Sequence, residues 1–271
     1  MNKKVIAIIT IVIILVATAA VGVFFFLQKS NNFSQENNPK KFQESSEADS
    51  GNGNANSNAC GTSTVSYGGQ TYNTVQIGTQ CWFKENLNVG TMLASASAMP
   101  ADPAPTLNNP NTVSKWCYDN SIANCTNEGG LYTWAEANGL AITCNSTSCT
   151  PASPSQGICP TGWHIPTDTE QYTLENYLQN TTCSASRTDW GCSDAGTKLK
   201  TGGSSGFNAP LAGYRITVDY FYNRSTYTYF WSSSAFDASY AWGRYLYSGF
   251  AAVYRYNIYK AYGFSVRCLK N

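Results

Sequence analysis

The stretch Cys159-Pro-Thr-Gly-Trp-His-Ile-Pro-Thr-Asp-Thr-Glu170 leads directly into the clearest helix signal of the chain. Pro166 precedes the pattern Thr167-x-x-Glu170, a capping box in which each side chain bonds the backbone N–H group of the other residue. Four residues with spacing suited to one helix face follow: Tyr172, Leu174, Tyr177 and Leu178. The sequence therefore predicts a helix over residues 168–179.

The sequence on either side of this helix indicates a mixed fold. Upstream, two β-type runs at residues 64–67 and 71–77 meet at a Gly-Gly turn, and residues 131–137 have the pattern of a short helix. Downstream of Phe207, aromatic residues alternate along short strands that glycines separate, as far as Cys268. The predicted fold class is α+β, with two helices in front of a strand-rich C-terminal half.

An uncharged apolar run occupies residues 5–27, directly behind Lys3 and Lys4. As an α-helix this run would be roughly 34 Å long, which is enough to cross the hydrocarbon core of a bilayer. We expect a single-pass membrane anchor whose lysines stay in the cytoplasm, so that the C-terminal domain is extracellular. The alternative is a signal peptide that is cleaved at Ala17-Thr18-Ala19, after which the protein is secreted.

The residues behind the apolar run divide into a linker and one domain. Residues 28–59 contain Phe33 and Phe42 as their only large apolar side chains, which is typical of a disordered polar linker. Residues 60–271 are within the size of a single domain. The predicted organisation is an anchor over residues 1–27, a linker over 28–59 and a domain over 60–271.

All ten cysteines follow the apolar run, and this even number indicates five disulfides in an oxidising compartment. Zinc is the competing interpretation, but the chain has no Cys-x-x-Cys pair and only one histidine, so we expect no metal site. Charged residues make up 12% of the chain and the net charge is +1. This balance gives no electrostatic reason to expect a nucleic-acid partner, and we expect none. We find no motif for a cofactor or for catalytic residues and expect neither.

Nine motifs follow one another through the domain: Tyr72-Asn-Thr-Val-Gln-Ile-Gly78, Cys81-Trp-Phe-Lys-Glu-Asn-Leu87, Tyr118-Asp-Asn120, Gly130-Leu-Tyr-Thr-Trp134, Cys159-Pro-Thr-Gly-Trp-His-Ile-Pro166, Gly206-Phe-Asn-Ala-Pro210, Gly213-Tyr-Arg215, Tyr229-Phe-Trp-Ser-Ser-Ser234 and Gly263-Phe-Ser-Val-Arg-Cys268. Together they resemble the Fibrobacter succinogenes major paralogous domain over residues 64–270. The same landmarks resemble, more distantly, the C-type-lectin-like fold in the variant that formylglycine-generating enzymes use.

The resemblance implies that Cys159 pairs with Cys268 and joins the helical half to the last strand. The other pairs, by proximity along the chain, would be Cys60–Cys81, Cys117–Cys125, Cys144–Cys149 and Cys183–Cys192. A formylglycine-generating oxidase needs a pair of free thiols for copper, which this pairing does not leave, so we expect no enzyme. The triplets that hold calcium in lectins of this fold are also missing, which argues against a calcium-dependent lectin.

The segment over residues 214–262 holds twelve tyrosines and four arginines, a composition typical of binding surfaces. Alternation along this segment predicts that Trp242 and Leu246 lie in the core and that Tyr245 and Tyr247 lie on the other face. Our hypothesis is a ligand-facing surface formed by Tyr245, Tyr247, Tyr254, Arg255, Tyr256, Asn257 and Tyr259. The alternative is that these tyrosines serve only as strand formers.

These observations predict a bacterial envelope protein that is anchored in the membrane and carries a non-catalytic domain outside it. The domain would bind a glycan or another surface protein. One alternative is a structural envelope component without a discrete ligand, and a lesser one is an oxidase of the formylglycine-generating type.

Overall fold

The protein is described by a computed structural model that covers residues 59–94, 96–99, 105–217 and 220–271. The predicted anchor and residues 28–58 of the predicted linker lie outside these ranges and stay predictions. Within the ranges, no helix has both the length and the apolar character that a bilayer span requires.

The described residues form thirteen strands and four α-helices. In chain order they are β1 (Thr64–Tyr67), β2 (Gln70–Ile77), β3 (Gln80–Phe83), β4 (Thr91–Leu93), β5 (Ser114–Trp116), α1 (Ile122–Glu128), α2 (Trp134–Ala137), β6 (Trp163–His164), α3 (Asp168–Leu178), β7 (Trp190–Gly191), α4 (Ala195–Leu199), β8 (Ala212–Arg215), β9 (Phe221–Arg224), β10 (Tyr227–Ala235), β11 (Tyr240–Tyr247), β12 (Val253–Tyr259) and β13 (Leu269–Lys270). The α+β class is confirmed, and so is the strand-rich C-terminal half.

A five-stranded sheet joins the two ends of the domain in the order β1-β2-β3-β13-β6. Gly68 and Gly69 make the predicted turn between the first two strands, at φ values of 57° and 75° that suit glycine. Leu269 in β13 pairs with Trp82 on one side and with His164 on the other. The last strand therefore lies between the N-terminal hairpin and the segment that leads into α3.

A six-stranded sheet has the order β7-β12-β11-β10-β8-β9, and a two-stranded sheet pairs β4 with β5. Neighbours in the larger sheet are antiparallel except β10 and β8, which run parallel. Two buried clusters flank this sheet, because Trp231 belongs to one and its neighbour Phe230 to the other. Successive side chains of a strand point to opposite faces, so each face of β10 packs against its own core.

The predicted capping box is present at the start of α3. The Thr167 hydroxyl accepts a hydrogen bond from the Glu170 N–H group, and the Glu170 carboxylate accepts one from the Thr167 N–H group at 2.7 Å. The buried face of the helix differs from the predicted one, because Gln171 and Glu175 are buried whereas Tyr177 is 65% exposed. Burial of Glu175 is tolerated since two arginines pair with it, as described below.

Three features of the helices differ from the prediction. The helix predicted at residues 131–137 begins only at Trp134, because Leu131 and Tyr132 form β-bridges with Trp116 and Phe264. Helix α1 was not predicted. Helix α4 was not predicted, because a glycine inside so short a helix weakens the helix signal in the sequence. This glycine, Gly196, is required by packing, since a Cβ atom there would lie 2.2 Å from the Ala252 carbonyl oxygen.

All five predicted disulfides are present, and they account for every cysteine: Cys60–Cys81, Cys117–Cys125, Cys144–Cys149, Cys159–Cys268 and Cys183–Cys192. The Cys159–Cys268 bond connects residues that are 109 positions apart. It ties the segment before α3 to the last strand, as the family resemblance implied.

Candidate functional site

One face of the six-stranded sheet carries a continuous row of aromatic rings, one from each strand. We call these residues the aromatic row, and they are, from β7 to β9, Trp190, Tyr254, Tyr245, Tyr229, Tyr214 and Tyr222. Adjacent ring centroids along the row are 5.0, 4.4, 5.2, 4.7 and 5.8 Å apart. Each ring therefore contacts the next, and the row crosses the whole sheet.

The strand register produces this arrangement. Tyr229 lies opposite Tyr245, Tyr245 opposite Tyr254, and Tyr254 opposite Trp190. Side chains directly opposite each other on neighbouring strands share a face and are close enough to interact. Five strand spacings of about 4.8 Å make the row ~24 Å long.

Additional aromatic side chains widen the row on the same face. Tyr227 and Tyr247 lie opposite each other and stack at 4.6 Å, and Tyr256 contacts Tyr254 at 5.9 Å. The members of the row itself are half-buried except Tyr222, which is 42% exposed, and Tyr256 beside the row is 46% exposed. The surface is thus open to solvent and is larger than the row alone.

Ring geometry decides which parts of these side chains a partner can reach. The Tyr245 and Tyr254 rings stack with an interplanar angle of 15°, and the Tyr227 and Tyr247 rings with one of 16°. Because these ring faces are in contact with one another, the ring edges and hydroxyl groups remain for a partner. Burial raises the pKa of Tyr229 to about 12 and that of Tyr245 further, so both hydroxyls are protonated at neutral pH.

The opposite face of β11 and β12 holds a buried cluster of ion pairs. Arg255 donates to the Asp168 carboxylate through Nη2 at 2.7 Å, and Arg244 donates to the same carboxylate through Nη1 at 2.7 Å. Arg244 also pairs with Glu175, which in turn pairs with Arg187. Burial would raise the pKa of Asp168, but the two arginines outweigh it and hold that pKa below its usual range. The cluster connects the start of α3 to the strands that carry the aromatic row.

The seven residues of the predicted ligand-facing surface divide between the two faces. Tyr245, Tyr247, Tyr254 and Tyr256 lie on the face of the aromatic row, whereas Arg255, Asn257 and Tyr259 alternate with them on the other face. Arg255 is buried in the ion-pair cluster, with its guanidinium carbon 3.5 Å from the centre of the Trp242 ring. Only the four tyrosines therefore belong to the open surface.

The predicted division of β11 is confirmed, with one difference. Leu246 is buried in the core, as predicted, and Tyr245 and Tyr247 lie on the other face. Trp242 shares the face of Leu246, but it is half-buried and covers Arg255. Trp242 lies near the start of β11, where Tyr240 is exposed. It is therefore at the edge of the core rather than inside it.

Five aromatic residues of this surface were not part of the prediction: Trp190, Tyr214, Tyr222, Tyr227 and Tyr229. The alternation of Tyr227 and Tyr229 is a local signal that places both on one face of a strand. Trp190 and Tyr214 had no such signal, because they reach the row through strand pairing between distant segments. Their place could not be derived from spacing along the chain.

Other groups that attract chemical interest have structural partners. Glu175 lies beside Cys183 and Cys192, and this is the only candidate metal cluster in the described part of the chain. Both cysteines form a disulfide and Glu175 is paired with arginines, so the cluster offers no free ligand. His164 is buried, and its ring nitrogens bond Asn271 at 2.6 Å and Glu170 at 3.1 Å. The contact with Glu170 holds the carboxylate of the capping box in place.

Comparison with known proteins gives one match. The family model described as the Fibrobacter succinogenes major domain matches residues 75–270, which is most of the chain. No curated protein and no solved structure was found to match.

Proposed function

This chain belongs to the Fibrobacter succinogenes major domain family, and we propose that it is an outward-facing envelope protein whose domain binds a partner without catalysis. The five disulfides indicate an extracytoplasmic domain. In our proposal the apolar run over residues 5–27 holds the domain at the cell membrane, and secretion after cleavage is the alternative. We also propose that the domain is a distant relative of C-type-lectin-like domains.

The aromatic row is the observation that carries the proposal. Tyrosine provides a large contact area with few rotatable bonds, together with a hydroxyl group for hydrogen bonding. Neighbouring rings already hold one another in place, so binding would cost little additional side-chain entropy. A protein that needed its tyrosines only as strand formers would not need them aligned in register across six strands.

The partner in this proposal is a glycan or another surface protein, and the ring geometry favours the protein. Sugars in binding sites pack against the faces of aromatic rings, but here stacking occupies many of those faces. Ring edges and hydroxyl groups suit a protein surface, which offers both apolar contacts and backbone hydrogen-bonding groups.

Binding of the labelled full chain to washed cell envelopes tests this proposal. We expect saturable binding that weakens about 30- to 1,000-fold in the double variant Tyr247→Thr/Tyr256→Thr, because aromatic anchors at interfaces contribute ~1–2 kcal/mol each. Threonine keeps the preference for a β-strand. Tyr240→Thr is the matched control. Tyr240 lies in β11, as Tyr247 does, but on the face opposite the aromatic row, and it is 41% exposed. Equal binding by all three proteins would contradict the proposal.

A structural component is the second candidate, because an uncharged aromatic surface is also suited to self-association. This alternative predicts that the purified chain forms oligomers in sedimentation equilibrium and that Tyr247→Thr/Tyr256→Thr dissociates them. Saturable envelope binding by a monomer would exclude it.

An oxidase of the formylglycine-generating type is the remaining alternative, and it needs two free thiols. The ten cysteines are all paired in disulfides, which argues against it. Thiol titration of the denatured, unreduced chain tests this directly: two titratable thiols per chain would favour the oxidase.

A further inference from the structure

A polar cleft of about 450 Å³ opens beside the five-stranded sheet and shares no residue with the aromatic row. Three segments far apart in the sequence line it: residues 70–72 together with 84–88, residues 125–129 at the end of α1, and residues 201–210 between α4 and β8. Its volume is within the range of sites that bind small molecules.

The floor of the cleft is made of polar side chains that the protein holds in place. The Glu85 carboxylate accepts hydrogen bonds from the backbone and side-chain nitrogens of Asn73 at 2.7 and 2.8 Å. The buried Asn86 donates to the Glu128 carbonyl oxygen at 2.8 Å and accepts from Arg267 Nε at 3.0 Å. These groups are therefore pre-organised, and ordering them again on binding would cost little.

The rim of the cleft offers polar groups with unused hydrogen-bonding capacity. Among the described residues, the side chains of Gln70, Lys84 and Asn127 have no hydrogen-bond partner, and all three line the cleft. Asn208 accepts from the Gly202 N–H group at 3.2 Å, which leaves its own amide N–H groups for another acceptor. The rim therefore presents both donors and acceptors at several points.

The charges of the cleft nearly cancel. Lys84 and Glu85 carry opposite charges, and Glu128 is paired with Arg224 at 2.8 Å. A strongly charged ligand would meet no surplus of opposite charge in such a site. A ligand rich in hydroxyl groups fits better, because each hydroxyl donates one hydrogen bond and accepts others, as amide side chains do.

We propose that this cleft is a second binding site, specific for a neutral oligosaccharide. Tyr72 and Pro210 line the cleft beside its polar groups, and a sugar also combines hydroxyl groups with apolar ring faces. The site does not depend on the aromatic row and would stand even if the row bound nothing.

Titration calorimetry of the full chain tests the cleft with four defined probes: cellotetraose, chitotetraose, maltotetraose and xylotetraose. We expect saturable binding of at least one probe, and binding that is about 10-fold weaker in Gln70→Ala/Asn127→Ala, since each lost hydrogen bond accounts for a several-fold loss. Both residues are exposed and make no side-chain bond in the described structure, so the double variant should fold. Unchanged thermal unfolding checks this.

The variant Tyr247→Thr/Tyr256→Thr, which changes two tyrosines beside the aromatic row, distinguishes the two sites. The cleft proposal expects it to bind the probe as tightly as the natural chain, whatever its effect on envelope binding. The proposal is overturned if none of the four probes binds, if the cleft variant binds as tightly as the natural chain, or if only Tyr247→Thr/Tyr256→Thr loses the probe.

Discussion

Replacing Asp168 with alanine tests whether the ion-pair cluster supports the sheet that carries the aromatic row. The Asp168 carboxylate accepts hydrogen bonds from both Arg244 and Arg255, whose side chains are only 4% and 7% exposed. The cluster holds three arginines, including Arg187, and two carboxylates, including Glu175. Asp168→Ala would therefore raise the net charge of this buried cluster from +1 to +2.

The magnitude follows from the cost of leaving a buried charge without its partner, which is about 3–5 kcal/mol. Arg244 keeps Glu175, and Arg255 keeps the Arg187 carbonyl oxygen at 2.5 Å and the Trp242 ring. Neither contact replaces the carboxylate for Arg255. We therefore expect the free energy of unfolding to fall by about 3–5 kcal/mol.

Urea unfolding of the full chain under non-reducing conditions measures this loss. With a slope of about 2–3 kcal/mol per molar urea, the midpoint should fall by ~1–2.5 M. Asp168→Asn keeps an acceptor oxygen and should cost less. Asp119→Asn is the matched control, because Asp119 is exposed, and such surface changes cost less than about 0.5 kcal/mol. If Asp168→Ala shifts the midpoint no more than Asp119→Asn does, the supporting role of the cluster is refuted.

Two further predictions concern stability. Burial raises the pKa of Glu136 to about 7 from 4.5, although its carboxylate accepts a hydrogen bond from the Ser114 N–H group at 2.6 Å. Between these pH values the folded state holds a proton that the unfolded state has lost. The free energy of unfolding should therefore fall by ~3 kcal/mol as the pH rises from 4.5 to 7. Unfolding experiments on Glu136→Gln across that range should show no such pH dependence. A pH dependence that persists in the variant would contradict the assignment of the effect to Glu136. Replacing both cysteines of the Cys159–Cys268 bond with serine should lower the free energy of unfolding by about 5 kcal/mol, because loop entropy grows with loop length. The same change at Cys144–Cys149 should lower it by about 2 kcal/mol. Equal losses in denaturant unfolding would contradict this prediction.

The parts of the fold that the sequence predicted are those with strong local signals. The capping box at Thr167 and Glu170, the Gly-Gly turn and the alternation in β11 each depend on neighbours a few residues away. The disulfide pattern came from the family resemblance together with proximity. Helices α1 and α4 escaped prediction because, at seven and five residues, they are too short to show a helical periodicity in the sequence.

The candidate site was predicted only in part for a similar reason. The prediction assigned Tyr254, Arg255, Tyr256, Asn257 and Tyr259 to one surface, although alternation in a strand places neighbouring residues on opposite faces. The aromatic row depends on the parallel pairing of β8 with β10 and on the pairing of β7 with β12. The polar cleft depends on three separate segments. Neither arrangement has a periodicity that a single sequence reveals.

Nitration of tyrosines by tetranitromethane, followed by peptide mass spectrometry, tests the central claim most directly. The full chain would be nitrated alone and while bound to washed cell envelopes. The account predicts that the exposed Tyr222 and Tyr256 react in the free chain and are protected in the bound one, whereas Tyr177 and Tyr240, which are also exposed, react equally in both. Equal nitration of Tyr222 and Tyr256 in the free and the bound chain would contradict the claim that the aromatic row and the tyrosines beside it form the binding surface.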